Sequence, residues 1–177
     1  MVEFAHSAES AVNYRTDPHR VGLAGFSMGA WLAFRAAVSD TSIDCVGGLE
    51  MGDMGGHGLS MRTDPEYEAW FTEYTNSLIA PGGPLHAEES GAAFADTLLT
   101  NADRWALSAQ APAFRDRAIL LVGSTENTEH ADLVSTLESI SATRLTSYDW
   151  VTDHSFSARR IELARTVVAW LQKACGF

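Results

Sequence analysis

Lysine is nearly missing from this chain: of its 12 basic residues, all but Lys173 are arginine. The arginines are scattered singly apart from Arg159-Arg160, so no basic stripe is available to meet a phosphate backbone. Acidic residues number 23, and the formal net charge of -11 repels nucleic acid and anionic bilayer surfaces alike. This balance argues against nucleic-acid and membrane partners and suits a neutral small molecule. Cysteine is scarce as well. Cys45 lies in an apolar run and Cys175 near the end, with neither metal-ligand spacing nor a disulfide framework, so both read as buried or incidental thiols. Long apolar runs are absent, which leaves no membrane-spanning stretch. The opening Met1-Val2-Glu3-Phe4-Ala5-His6 has no basic n-region and no apolar h-region, so the chain as given reads as cytoplasmic.

What is present is a sequence of 177 residues with 46% hydrophobic content, enough apolar surface for one globular domain. Residues 7–14 have helical character with Ser7 as N-cap, and 16–19 read as a turn. Residues 20–25 form a short apolar run closed by glycine, as expected of a strand buried on both faces, and an alanine-rich helix follows from Met28. A second strand covers 43–51 and ends in the glycine-rich loop 52–58. Residues 64–117 carry helical patterning around Trp70, Phe94 and Trp105, predicting a helical, lid-like insertion at about 60–117 within a single domain. A third strand at 118–123, a helix at 131–140 and a fourth strand at 143–150 follow. The last helix opens after Ser157 with Ile161, Ala164, Val168 and Leu171 on one stripe. Strands alternating with helices predict an α/β fold: a mostly parallel sheet of about four strands flanked by helices.

The chemistry concentrates where the first strand meets its helix. Gly25-Phe26-Ser27-Met28-Gly29 is a Gly-x-Ser-x-Gly pattern in the strand–turn–helix context that its mechanism needs, with the serine oxygen raised above the sheet edge. Ser27 is therefore the candidate nucleophile. The helix that follows aims its first amides at a developing oxyanion, with the Met28 N–H as donor. The serine needs a base, and His154 supplies one in the loop between the last strand and the last helix.

Around these two residues the sequence resembles a known family. The segments 17–33 and 152–164, with Gly25-Phe26-Ser27-Met28-Gly29 and Thr152-Asp153-His154-Ser155-Phe156 at their centres, are similar to the serine-elbow and histidine segments of α/β hydrolases. The nearest branches are the dienelactone-hydrolase and prolyl-oligopeptidase-like ones. The resemblance implies hydrolysis of an ester, thioester or amide through an acyl-enzyme on Ser27, most simply a carboxylesterase on small neutral esters, with no cofactor and no metal. A peptidase and a non-catalytic half-domain acting as an assembly module are the alternatives.

The resemblance also implies a third member, an Asp after the third strand. There the chain has Gly123-Ser124-Thr125-Glu126-Asn127, with Asn127 in register and Glu126 one step earlier. Asn carries no charge to stabilise imidazolium, so Glu126 is the leading acid, with Asp53 after the second strand as the alternative and Glu129 and Asp132 behind. His57 and His130 lack ligand partners at metal spacing and read as solvated loop histidines. Fewer residues precede the strand at Arg20 than the ~30 of one βαβ unit. The expected fold is therefore a partial α/β-hydrolase fold lacking its N-terminal strands: a fragment, a gene with an upstream start, or a reduced hydrolase. It would leave strand 20–25 as an open edge and favour a homodimer.

Overall fold

The computed structural model describes residues 19–83 and 90–176, together with residues 7, 9, 12, 13 and 17. The helix expected over 7–14 falls largely outside the described residues, as does much of the turn at 16–19; residues 9, 12 and 13 are helical. The chain divides into two compact units, Met1–Gly52 with Ala111–Phe177, and Asp53–Gln110.

The first unit is built on four parallel strands in the order β1-β2-β3-β4: β1 (Gly22–Phe26), β2 (Cys45–Leu49), β3 (Ala118–Ser124) and β4 (Leu145–Trp150). Helix α1 (Met28–Ser39) links the first two strands. The third and fourth are linked by a helix at Thr128–Ser139, and a helix at Arg160–Ala174 ends the unit. Every residue of β3 is buried, as its unbroken apolar run requires of a strand covered on both faces. One face carries Phe34 of α1, which lies with Leu121 over Gly48, and Phe34 in turn packs on Phe114 at a ring separation of 5.1 Å. The other face packs Leu120, Val122, Trp150 and Phe156 under Trp170 of the last helix.

That helix buries a different stripe from the one its sequence suggests. Ile161 and Val168 are exposed, and Leu163, Val167, Trp170, Leu171 and Ala174 pack inward. The large indole decides the rotation of the helix, because burying Trp170 removes more apolar surface from water than burying either aliphatic side chain. Truncation of Trp170 to alanine would cost about 3–5 kcal/mol.

The cysteines are also not separate thiols. Cys45 opens β2 and Cys175 follows the last helix, their Cα atoms are 5.7 Å apart, and they form a disulfide. Their sequence separation of 130 hides this proximity, which arises only once the last helix lies along the sheet.

The second unit consists of helices, α2 (Met54–Thr63), α3 (Pro65–Ile79), α4 (Gly91–Trp105) and α5 (Leu107–Gln110). We accordingly number the helices of the first unit beyond it α6 (Thr128–Ser139) and α7 (Arg160–Ala174). Most of the glycine-rich segment read as a loop is thus helical. Glycine is a poor helix former, but here it allows close packing: a Cβ at Gly55 would lie 2.0 Å from the Ala106 nitrogen, and one at Gly58 2.5 Å from the Leu98 oxygen. Met61, Phe71, Ala95 and Leu98 form this unit's core. Asp64 caps α3, with Pro65 at its first position, and Ser90 caps α4. Among the described residues no helix is long and apolar enough to cross a membrane.

Candidate active site

Ser27 stands between β1 and α1 with φ 54° and ψ -129°, a left-handed corner that a non-glycine residue adopts at a cost. The corner is held by the Ser27 N–H donating to the Leu49 oxygen and by the Ala30 N–H donating to the Ser27 oxygen. Its tightness explains one of the two motif glycines. A Cβ at Gly25 would come within 2.1 Å of the Gly29 oxygen, whereas one at Gly29 would meet nothing within 4 Å. Met28 is the first residue of α1, so its N–H belongs to the turn whose amides have no intrahelical acceptor.

The next strand makes a second such corner. Phe26 pairs with Leu49 across β1 and β2, so the residues that follow, Ser27 and Glu50, leave neighbouring strands at the same level. Glu50 has φ 45° and is only 4% exposed. Its N–H donates to the Val122 oxygen at 2.7 Å. Its carboxylate accepts the Ser124 N–H at Oε2 (2.6 Å) and the Ser124 hydroxyl at Oε1 (2.8 Å).

His154 follows β4 in an exposed turn, with its ring centroid 4.9 Å from that of Phe26, the chain neighbour of Ser27. Its Nδ1 lies 3.8 Å from Glu50 Oε1, an ion-pair distance longer than a hydrogen bond. The loop around it is ordered by Asp153, which accepts the Ser157 N–H at 2.8 Å. That bond, assisted by the Ser157 side chain, holds the Asp153 carboxyl below its usual range. Two residues past His154, Phe156 is buried under Trp150 at φ 51°, a third left-handed non-glycine residue in this region.

The carboxylate set against His154 is therefore that of Glu50, which the sequence reading absorbed into the second strand. Glu126, the acid favoured there, sits exposed in the turn after β3. Asn127 caps α6 by accepting the His130 N–H, and its own amide donates to the Met51 oxygen, just past Glu50. Asp53 is occupied as the N-cap of α2, with one oxygen on the Gly55 N–H and the other on the Leu107 N–H. Glu129 lies in the first turn of α6, and Asp132 is exposed on that helix. The signal that could have found Glu50 is its position: the first polar residue ending an apolar strand, one strand over from the elbow.

His57 and His130 are not the solvated loop histidines that the sequence suggests. His57 lies on α2 with Nδ1 2.6 Å from the Tyr67 hydroxyl. His130 is fully buried on α6, with Nε2 3.0 Å from Asp149 Oδ1. Burial lowers the His130 pKa, and Asp149 and Glu50 offset this only in part. Among the described residues no cluster of His, Cys, Asp and Glu could hold a metal ion.

No protein-family model matches the chain. No curated protein is detectably similar to it. Among solved structures, an esterase of Pyrococcus furiosus superposes with a TM-score of 0.58 at 16% identity over 94% of this chain. The chain spans 58% of that esterase's length. A putative non-heme bromoperoxidase of Mycobacterium tuberculosis gives a TM-score of 0.46 at 14% identity, covering 96% of this chain and 72% of that one. The parallel four-stranded sheet with helices on both faces, the serine corner after β1 and the Pyrococcus superposition give this chain an α/β-hydrolase fold.

Proposed function

We propose that this protein is a serine hydrolase, a carboxylesterase that cleaves small neutral acyl esters through an acyl-enzyme on Ser27. The observation that carries this reading is the convergence of three corners: Ser27 after β1, Glu50 after β2, and His154 after β4 against Phe26 and Glu50. Glu50 faces Nδ1 of His154, which leaves Nε2 for the serine. In the first step the Ser27 hydroxyl oxygen attacks the acyl carbon while its proton passes to His154 Nε2. The imidazolium is stabilised by the buried Glu50 carboxylate and the oxyanion by the Met28 N–H. The tetrahedral species collapses as the alcohol leaves with the proton from His154, and water then repeats the sequence on the acyl-serine. Glu50 replaces Glu126 as the acid in this reading, and neither metal nor cofactor is called for.

Two further points support an ester substrate. The net charge of -11 disfavours anionic substrates, and the P. furiosus protein that shares the fold is an esterase. Within this proposal, the resemblance of the elbow and histidine segments supports a position near the dienelactone-hydrolase and prolyl-oligopeptidase-like branches. The test is labelling with a fluorophosphonate alongside hydrolysis of p-nitrophenyl acetate and a peptide p-nitroanilide. Wild type should label at Ser27 and cleave the ester faster than the amide. Ser27→Ala should stay folded and lose about 10³-fold or more. A Ser27→Ala variant with wild-type ester turnover would end this reading, and preference for the amide would make the protein a peptidase.

A further inference from the structure

Glu50 is an awkward residue to keep. A buried carboxylate is costly unless its oxygens are hydrogen-bonded, and it serves an imidazolium only where it is held in place. Its backbone sits at φ 45° as well, so its side chain leaves the strand in a direction that ordinary extended geometry does not provide. Something must satisfy its oxygens and fix its orientation.

Ser124 meets both needs. It is the last residue of β3 and is itself buried, with 5% exposure. Its neighbours hold it on both sides: Glu50 N–H donates to the Val122 oxygen, Ser124 registers with Trp150 on β4, and the Thr125 N–H donates to the Trp150 oxygen. The Ser124 backbone N–H reaches Oε2 at 2.6 Å and the hydroxyl reaches Oε1 at 2.8 Å. Both bonds go to a charged acceptor, the class that is short and strong. The two donors play different parts. Any residue but proline at 124 would supply the N–H, and it binds Oε2. The hydroxyl binds Oε1, the oxygen that faces His154 Nδ1 at 3.8 Å.

We propose that Ser124 is a positioning residue: its hydroxyl pins Oε1 of Glu50 where His154 can use it, transferring the work of a loop acid after β3 to a carboxylate delivered from β2. The proposal rests on the hydrolase reading above. A donor at the end of the central β3 is more rigid than one on a loop, and the carboxylate plane is fixed at both oxygens before substrate binds.

The experiment is a kinetic comparison of Ser124→Ala, Ser124→Thr, Glu50→Gln and Ser27→Ala on p-nitrophenyl acetate, with the active fraction of the variants that keep Ser27 counted by fluorophosphonate labelling. Ser124→Ala keeps the backbone donor and removes only the hydroxyl. It should lower kcat by about 10- to 100-fold, the range that a lost hydrogen bond to a charged group produces, with KM changed less than about two-fold. Ser124→Thr, which restores the hydroxyl, should recover most of the turnover. A purely structural serine would lower the melting temperature in Ser124→Ala and leave kcat per labelled site unchanged. If Ser124→Ala does not fold, Ser124→Cys keeps the volume, weakens the donor and carries the same expectation. Wild-type kcat per labelled site in the serine-replaced variant, with activity lost in Ser27→Ala and Glu50→Gln, overturns the positioning role alone. Wild-type activity in Ser27→Ala overturns the hydrolase reading and this inference with it.

Discussion

Reduction of the Cys45–Cys175 disulfide should destabilise the protein far more than any single surface change. The bond joins residues separated by 130 positions, so in the unfolded chain it closes nearly the whole length into a loop. In the chain-entropy treatment, closing a loop of that length removes about 17 cal/mol/K, or ~5 kcal/mol at 25 °C. Each kcal/mol moves the melting temperature of a domain of this size by about 2–4 °C, so the full effect corresponds to a shift of about 10–20 °C. Cys45 sits under Trp170 and Val167 in the core shared by β2 and α7, so a reduced thiol remains packed and the loss arises mainly in the unfolded state. Differential scanning calorimetry with and without TCEP, and on Cys175→Ala without reductant, measures this directly. The reduced protein and the variant should melt together, well below the oxidised protein. Coincident melting of all three, or two titratable thiols in the unreduced denatured protein, would refute the reasoning. Because reducing compartments keep such bonds open, the size of the shift also states how much stability depends on an oxidising environment.

Three other outcomes are expected. Glu50→Gln should lose about 10²- to 10⁴-fold in ester turnover, because amide cannot supply the charge, while Glu126→Gln stays within about two-fold of wild type; the reverse pattern would return the acid to the turn after β3. His130 is buried with its pKa lowered, so the unfolded chain binds its proton more readily than the folded one. Its contribution is complete above the unfolded value of about 6.5 and is lost as pH falls toward the lower folded value. Melting temperature should therefore drop between pH 7 and pH 5, less steeply in His130→Gln, and parallel curves for the two proteins would count against this. Finally, β1 is an edge of the sheet among the described residues, and we propose that a second copy covers it in a two-fold homodimer. Light scattering at several concentrations should give twice 19.1 kDa, and a soluble monomer of that mass would exclude the dimer.

The strands and the serine corner were legible because their signals are local. Residues 118–123 are apolar without a break, and the structure buries all of them as β3. Gly25 and Ser27 mark a strand–helix corner whose geometry the motif encodes almost residue by residue. What escaped was long-range. Glu50 and His154 meet only because β2 and β4 flank β3, and a glutamate ending a strand carries no mark of that in its own neighbourhood. The disulfide and the face of α7 were hidden in the same way, since both depend on where the last helix lies against the sheet. The glycine-rich segment after Gly52 read as loop because helix propensity is a local average, and tertiary packing of Gly55 and Gly58 overrode it.

The left-handed corners at Ser27 and Glu50 make this chain a gauge for its own descendants. Holding two non-glycine residues at φ 54° and φ 45° costs stability, which under the proposed hydrolase reading the chemistry repays. A lineage released from catalysis would gain by drifting to glycine or asparagine at both positions, since either relaxes the backbone and, at 50, removes a buried charge. Serine at 27 together with glutamate at 50 would thus separate working copies from decayed ones in any set of related sequences, more sharply than the Gly-x-Ser-x-Gly pattern, whose second glycine at position 29 is free of steric demand.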